Sequence, residues 1–216
     1  MIENSEFADA NARLAALRDV LGADVPRETF EKLERFAALL IDENQRQNLI
    51  AASSVPELWK RHILDGAQLR RLADKAANWL DIGSGPGLPG VVIAILGGRP
   101  MTLNEPRRLR ADFLRRIVVD LDLPDVIIAE CKVERLKGQY DVITARAVAR
   151  LDRLFEMACH LAHSETKWVL PKGEAAQSEL DEVLKAWQGR FRLVPSQTHA
   201  AAAIVIADHV ERRGKR

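Results

Sequence analysis

The segment Trp79-Leu80-Asp81-Ile82-Gly83-Ser84-Gly85-Pro86-Gly87-Leu88-Pro89-Gly90 constrains this chain more than any other stretch. A short apolar strand runs into a glycine-rich turn, and the amphipathic stretch Leu88–Leu96 follows without a spacer. In a doubly wound sheet such a turn sits at the carboxyl end of a parallel strand, where ligands bind. Its glycines permit positive φ and let a ligand approach the backbone closely. Three alternating glycines in that context favour a binding turn over a merely structural one.

The remainder of the chain agrees with a sheet of that kind. Beyond Lys75, short runs apolar on both faces recur at Trp79-Leu80, Val126-Ile127-Ile128-Ala129, Val142-Ile143, Trp168-Val169-Leu170 and Ile204-Val205-Ile206, and Met101-Thr102-Leu103 reads as a further strand. Helix-length amphipathic stretches lie between them at Arg107–Leu121, Leu151–Leu161 and Glu174–Trp187. That alternation predicts a parallel sheet covered on both faces. Phe191–Val194 and Ala203–Ala207 have no helix between them, which predicts an antiparallel pair at one sheet edge. Before Lys75 the pattern is helical. Phe7, Leu14, Leu17 and Leu21 share a face that ends at Gly22, and Phe30, Leu33, Phe36, Ala37, Leu40 and Ile41 repeat at helical spacing. Ser54 and Glu57, with Pro56 between, read as a capping box opening a third helix through Trp59, Ile63 and Leu69. The expected organisation is a helical extension over 1–74 and an α/β domain over 75–216, joined without a flexible linker.

With 216 residues, 47% hydrophobic and 29% charged, the chain can bury a real core and is not intrinsically disordered. No stretch approaches the roughly 20 apolar residues that cross a bilayer. Met1-Ile2-Glu3-Asn4-Ser5-Glu6 lacks a basic segment followed by an apolar one, so a cytoplasmic protein without membrane association is expected. Cys131 and Cys159 are too few for a disulfide framework and lack metal-ligand spacing, so no metal is expected. A net charge of +1 decides little, because clusters matter more than the sum. Arg107, Arg108, Arg110, Arg115 and Arg116 crowd one segment, either as a solvated helix face or as a polyanion contact. Arg212-Arg213-Gly214-Lys215-Arg216 reads as a basic terminal tail.

The turn's chemistry narrows the ligand. Counted from the first glycine after the strand, Leu88 occupies the third glycine position of a dinucleotide fingerprint. Asp81 repels a pyrophosphate but suits the ammonium of an amino acid, and no lysine is placed for phosphates. These features favour S-adenosylmethionine over NAD or ATP. Glu105, at the end of the next strand, can accept from ribose hydroxyls. Val133 can pair its backbone with adenine, and Glu134 can accept from the exocyclic amine. Arg146 and Lys172 end the fourth and fifth strands. Each can be an anion contact; the alternative is an ion pair with Asp152 or Asp141 for Arg146 and a solvated loop lysine for Lys172. Arg61, His62 and Asp65 can share one helical face, where an ion-pair cluster docking the N-terminal helices is favoured over RNA contact.

These residues also carry a resemblance. Asn44, Asn48-Leu49, Arg61-His62-Ile63-Leu64-Asp65, the Leu80–Gly90 turn, Phe113-Leu114, Val133-Glu134, Ala145-Arg146-Ala147 and Pro171-Lys172-Gly173 resemble the bacterial 16S ribosomal RNA guanine-N7 methyltransferase family, called RsmG or GidB. Gly66 and Lys132 depart from the pattern, which usually has serine and arginine there. The resemblance implies a Rossmann-like class I S-adenosylmethionine-dependent methyltransferase fold, with a mostly parallel seven-stranded sheet and an antiparallel edge strand. It implies methyl transfer to N7 of a guanosine in 16S ribosomal RNA of the small subunit or its precursor, by a monomer. It further implies cofactor contacts at Gly83, Leu88, Val133, Glu134 and Arg146; Asp81, Gly85 and Glu105 complete the cofactor set read from the turn. Arg146, Lys172, Arg107 and Arg108 are the RNA-binding candidates. No catalytic residue is assigned, since guanine N7 needs no deprotonation. Methyl transfer to another RNA, a protein or a small molecule stays open, as do an RNA-binding module without catalysis and, against Asp81, an NAD-dependent oxidoreductase.

Overall fold

The computed structural model describes residues 9–73, 78–98 and 100–214. Three N-terminal helical segments lie against a seven-stranded sheet with helices on both faces. Helix α1 (Ala10–Leu21) starts where the Asp9 carboxylate accepts from the Ala12 N–H, and stops at Gly22 with φ 64°. Phe7, expected on this helix, lies outside the described residues. Helix α2 (Arg27–Gln47) buries Phe30, Leu33, Phe36, Ala37 and Leu40 along one stripe, the placement their spacing predicts.

The third helical segment departs from expectation. There is no capping box at Ser54: its hydroxyl donates to the Ala51 carbonyl at 2.7 Å, closing a short 3₁₀ turn over Ala52–Ser54. The chain then forms a π-helix at Trp59–Leu64 and only afterwards becomes α-helical as α3 (Asp65–Leu72). The acceptor side of the Ser54 hydroxyl faces His62 Nε2 at 3.2 Å, and no helical N–H among the described residues donates to it.

The strands are β1 (Trp79–Ile82), β2 (Met101–Asn104), β3 (Val126–Ala129), β4 (Tyr140–Ala145), β5 (Ala162–Lys172), β6 (Trp187–Pro195) and β7 (Ala203–Arg212). Their order is β3-β2-β1-β4-β5-β7-β6, with β1 to β5 parallel and β7 antiparallel to both β5 and β6. The antiparallel pair at one edge is as expected, and β7 inserts between β5 and β6. The intervening helices are α4 (Gly90–Ile95), α5 (Arg108–Asp120), α6 (Leu151–Ala158) and α7 (Ala176–Ala186). Asp81 aligns with Leu103 on β2 and Thr144 on β4, so the parallel strands end along one rim.

One apolar core joins Leu17, Phe36 and Leu69 of the N-terminal helices to Val91, Leu103, Val142 and Val169 beside and within the sheet. A second core on the opposite face joins Leu154, Phe155, Trp168 and Val183. The N-terminal helices therefore complete one sheet face. The expected boundary between 74 and 75 falls outside the described residues.

Candidate functional site

The glycine turn is built around Asp81 and Ser84. The Ser84 carbonyl accepts from the N–H groups of Gly87 (2.7 Å) and Leu88 (3.1 Å), and Ser84 N–H donates to Asn104 across the sheet (2.9 Å). Gly90 opens α4 directly over β1, and a Cβ there would collide with Leu103 and the Asp81 carboxylate. Only glycine lets the two elements approach so closely. Gly85 differs. Its φ is +54°, and a Cβ there meets nothing nearer than Arg110 Nη1 at 3.7 Å, so the space above it is open.

The Asp81 carboxylate faces the start of α4. The group is fully buried, and its Oδ2 accepts from the Gly90 N–H at 3.2 Å. All four residues of β1 are buried, so both faces of the strand pack. Burial pushes the Asp81 carboxyl up to about 7, since removal from water penalises the ionised form. Its Oδ1 has no hydrogen-bond partner among the described residues. Glu105 is likewise not displayed to solvent. It is 3% exposed, with Oε2 accepting from Gly85 N–H (2.9 Å) and Oε1 from Arg107 N–H (2.8 Å). As arranged, Glu105 braces the turn to the start of α5. Leu88 is buried in the core, leaving its backbone as the part near the turn. Val133 is buried and Glu134 exposed on a 3₁₀ turn after β3. The Asn104 side chain holds that connection by donating to the carbonyls of Ala129 (3.1 Å) and Cys131 (2.8 Å).

Around the ends of β4 and β5 the construction changes from backbone to charge. The Arg146 ion pair is made with Asp65, neither Asp152 nor Asp141. Its Nη1 lies 3.5 Å from Asp65 Oδ2, 3.2 Å from the Arg61 carbonyl and 3.1 Å from His62 Nδ1. Arginine supplies only donors, so His62 Nδ1 accepts and the ring is neutral, with its proton on Nε2 toward Ser54 Oγ at 3.2 Å. Burial and the neighbouring Arg146 and Arg61 charges depress His62 to about 4. The Arg61 side chain pairs outward with Glu57 (3.5 Å), so the expected Arg61–Asp65 pairing on one helical face is absent. Lys172 is not a free rim cation. Its Nζ lies 3.0 Å from Glu179 Oε2 and donates to the Ala149 carbonyl at 2.8 Å, with both side chains largely buried. Glu179 also accepts from Leu151 N–H at 2.9 Å, so the pair clamps the loop after β4.

A cleft of about 550 Å³ opens here, bordered by Arg61, Asp65, residues 146–150, Lys172 and the β6–β7 turn. Val148 lines it and also stands against Gly83, where a Cβ would lie 2.7 Å from Val148 Cγ2. The cleft and the glycine turn are thus neighbours separated by one side chain. Sequence reasoning missed Gln68, Glu179, Ser196 and Thr198, whose partners lie far away in the chain. Farther round, Arg107 and Arg108 are exposed at the start of α5. Arg115 pairs with Asp112 and Glu130, while Arg116 pairs with the buried Glu43 of α2.

The residues around the turn fit S-adenosylmethionine. Asp81 has an unused acceptor oxygen for an ammonium donor, and the open side of Gly85 leaves room above the turn. Comparison with known proteins follows the same line. The family model for rRNA small subunit methyltransferase G matches residues 29–202. A protein of that name from Rhizorhabdus wittichii is 48% identical over 196 residues, covering 88% of this chain and 90% of the relative. Its counterpart from Zymomonas mobilis is 45% identical, covering 86% and 88%. Among solved structures, an O-methyltransferase from Bacillus cereus in complex with SAH shares the fold with a TM-score of 0.61 at 16% identity, covering 93% of this chain and 100% of that one. A glycopeptide N-methyltransferase, MtfA, aligns with a TM-score of 0.57 at 10% identity, covering 66% and 89%. The breadth and identity of the sequence matches settle the family: this chain belongs to the rRNA small subunit methyltransferase G family.

Proposed function

We propose that this chain methylates N7 of a guanosine in 16S ribosomal RNA, acting as a monomer in the cytoplasm on the small subunit or its precursor. Family membership supports the reaction class. The observation that carries the site reading is the cleft beside the glycine turn, walled by Arg61 and Arg146 and separated from Gly83 only by Val148. Bound S-adenosylmethionine supplies an electrophilic methyl group. Asp81 with its free Oδ1, the backbone around Gly83, Gly85 and Leu88, and the Val133-Glu134 turn would hold it. Glu105 would act mainly through the turn it braces, with lone pairs left for ribose hydroxyls.

Guanine N7 carries its own in-plane lone pair, so the chain needs no base to remove a proton. What the residues supply is placement. Orientation of reactants contributes roughly 7–11 kcal/mol in favourable cases. Arg146, held by Asp65 and the Arg61 carbonyl, presents a fixed cation at the cleft wall suited to an RNA phosphate. Lys172 fixes the loop carrying residues 146–150 and does not itself reach for RNA. Arg107 and Arg108 are exposed and suited to longer-range phosphate contact.

The test uses small ribosomal subunits from cells lacking this methyltransferase, the purified protein and labelled S-adenosylmethionine, with the modified base mapped by mass spectrometry. One N7-methylguanosine in 16S RNA is expected, formed faster on the particle than on a short stem-loop. Label on another atom, on protein only, or on no ribosomal RNA would overturn the proposal.

A further inference from the structure

The turn joining β6 to β7 forms one wall of the cleft through Ser196, Thr198, His199 and Ala202, yet no residue from 195 to 202 is buried. Apolar packing therefore does not hold it. Polar bonds to α3 do. Gln68 is 2% exposed, and a buried amide must spend its donors and acceptor on partners. Its Oε1 accepts from Gln197 N–H at 2.9 Å. Its Nε2 donates to Asp65 Oδ1 at 2.8 Å and lies 3.2 Å from Ser196 Oγ and 3.3 Å from Thr198 Oγ1. The Thr198 hydroxyl donates to the same Asp65 oxygen at 2.8 Å. The other oxygen of Asp65 faces Arg146 at 3.5 Å.

We infer that Gln68 and Thr198 are positioning residues that clamp the β6–β7 turn through Asp65, fixing the outer wall of the acceptor cleft in register with Arg146. The inference rests on the proposed function for the cleft's occupant, a guanosine of RNA. A turn with no buried side chain is otherwise free to open. Ordering it anew at each encounter would subtract from the binding of RNA. The glycine turn is held by separate bonds, from Gly90 to Asp81 and from Gly85 to Glu105, so the clamp acts on the acceptor side alone.

Three variants test this: Thr198→Val removes the hydroxyl at nearly constant volume, Thr198→Ser restores it, and Gln68→Leu removes the amide. Steady-state methylation of small subunits, S-adenosylmethionine affinity by calorimetry and amide hydrogen exchange over residues 196–202 are measured for each. For Thr198→Val, KM for the particle should rise about three- to tenfold, the range expected for one hydrogen bond. Cofactor affinity should stay within about twofold of wild type, and exchange over 196–202 should quicken. Gln68→Leu should show the same pattern more strongly, and Thr198→Ser should behave as wild type. The inference is overturned if Thr198→Val keeps wild-type KM and exchange, if Thr198→Ser is impaired equally, or if cofactor affinity falls in parallel. Failure of the wild-type protein to methylate small subunits would instead sink the proposed function, while the exchange data would still decide whether the clamp exists.

Discussion

The two halves of the rim are made in opposite ways. On the β1–β2–β3 side, backbone groups do the shaping. The Ser84 carbonyl holds the N–H groups of Gly87 and Leu88, while the buried carboxylates of Glu105 and Asp81 hold those of Gly85 and Gly90. On the β4–β5–β7 side, side chains do the shaping, through Arg146, Asp65, Gln68, Lys172 and Glu179. A backbone-built site tolerates few substitutions, because every added Cβ meets something or fills ligand space. A side-chain-built site can be dismantled one bond at a time. Perturbing the first half should abolish cofactor binding outright, and perturbing the second should grade the effect on acceptor use.

The largest effect is expected from Gly85→Val. The space above Gly85 is open in the protein, so the new side chain occupies volume that the cofactor would take. S-adenosylmethionine affinity measured by calorimetry should fall at least about 100-fold, or ~2.7 kcal/mol. The left-handed φ adds a stability penalty of about 1–2 kcal/mol, which leaves the fold detectable by circular dichroism. Near-normal cofactor affinity would mean that the ligand does not pass over this glycine, and the contrast between the halves would collapse.

Second in its effect on function, though larger in folding stability, is the clamp on the loop after β4. Lys172→Ala leaves Glu179 buried beside Leu151 N–H without its cation, and breaking such a pair from one side costs about 3–5 kcal/mol. Thermal melting should register that loss. Replacing both partners, Lys172→Met with Glu179→Leu, should recover much of the stability. It should not recover methylation, because nothing then ties Ala149 and Leu151 in place. Full activity in the melted-and-restored pair would show that the 146–150 loop needs no clamp.

The contrast between the halves also explains what the sequence disclosed. The strand alternation, the glycine turn and the antiparallel edge pair are local patterns, and all were legible. So was a docking role for the Arg61–Asp65 segment, although its partner turned out to be Arg146. The face toward which Asp81 points was not legible, because β1 is buried on both sides and offers no polar alternation to read. Nor could Lys172 be distinguished from a solvated lysine, since its partner Glu179 sits on a different element. Ser54 met every rule for a capping box, yet its hydroxyl lies between the Ala51 carbonyl and His62 Nε2, the latter eight residues on and outside any capping pattern. Gln68 carried no signal at all; its value comes from a turn 128 to 130 residues away.

A smaller effect concerns pH and reports on both halves at once. Unfolded His62 titrates near 6.5 and folded His62 near 4. Between those values the unfolded chain binds more protons, so the stability His62 contributes is complete above about 6.5 and is lost as pH falls toward 4. Asp81 has the opposite sign. Its folded value is about 7 against 3.8 unfolded, so its burial costs progressively more as pH rises through that window. Arg146 faces both groups and remains a cation throughout. Relative to wild type, His62→Gln should make stability fall more steeply from pH 4 to 6.5, and Asp81→Asn should make it rise. Urea titrations at several pH values provide the measurement, and parallel curves for the three proteins would refute the assigned environments.

The smallest effects are expected where neither half reaches. Arg107 and Arg108 stand exposed at the head of α5, with the Arg108 guanidinium 3.8 Å from Asp112. Arg115 and Arg116 are already engaged, the latter with the buried Glu43 that anchors α2. If the α5 end meets RNA phosphates, Arg107→Ala and Arg108→Ala should each weaken particle binding modestly. Each should also lower the slope of log affinity against log salt by about one. Cofactor affinity and folding should not move. Arg116→Ala should do the reverse, lowering stability through Glu43 while leaving the salt slope unchanged. Binding at two or more salt concentrations separates these outcomes, and an Arg116→Ala protein with a reduced slope and intact stability would place the RNA track along the far side of α5 and not at its head.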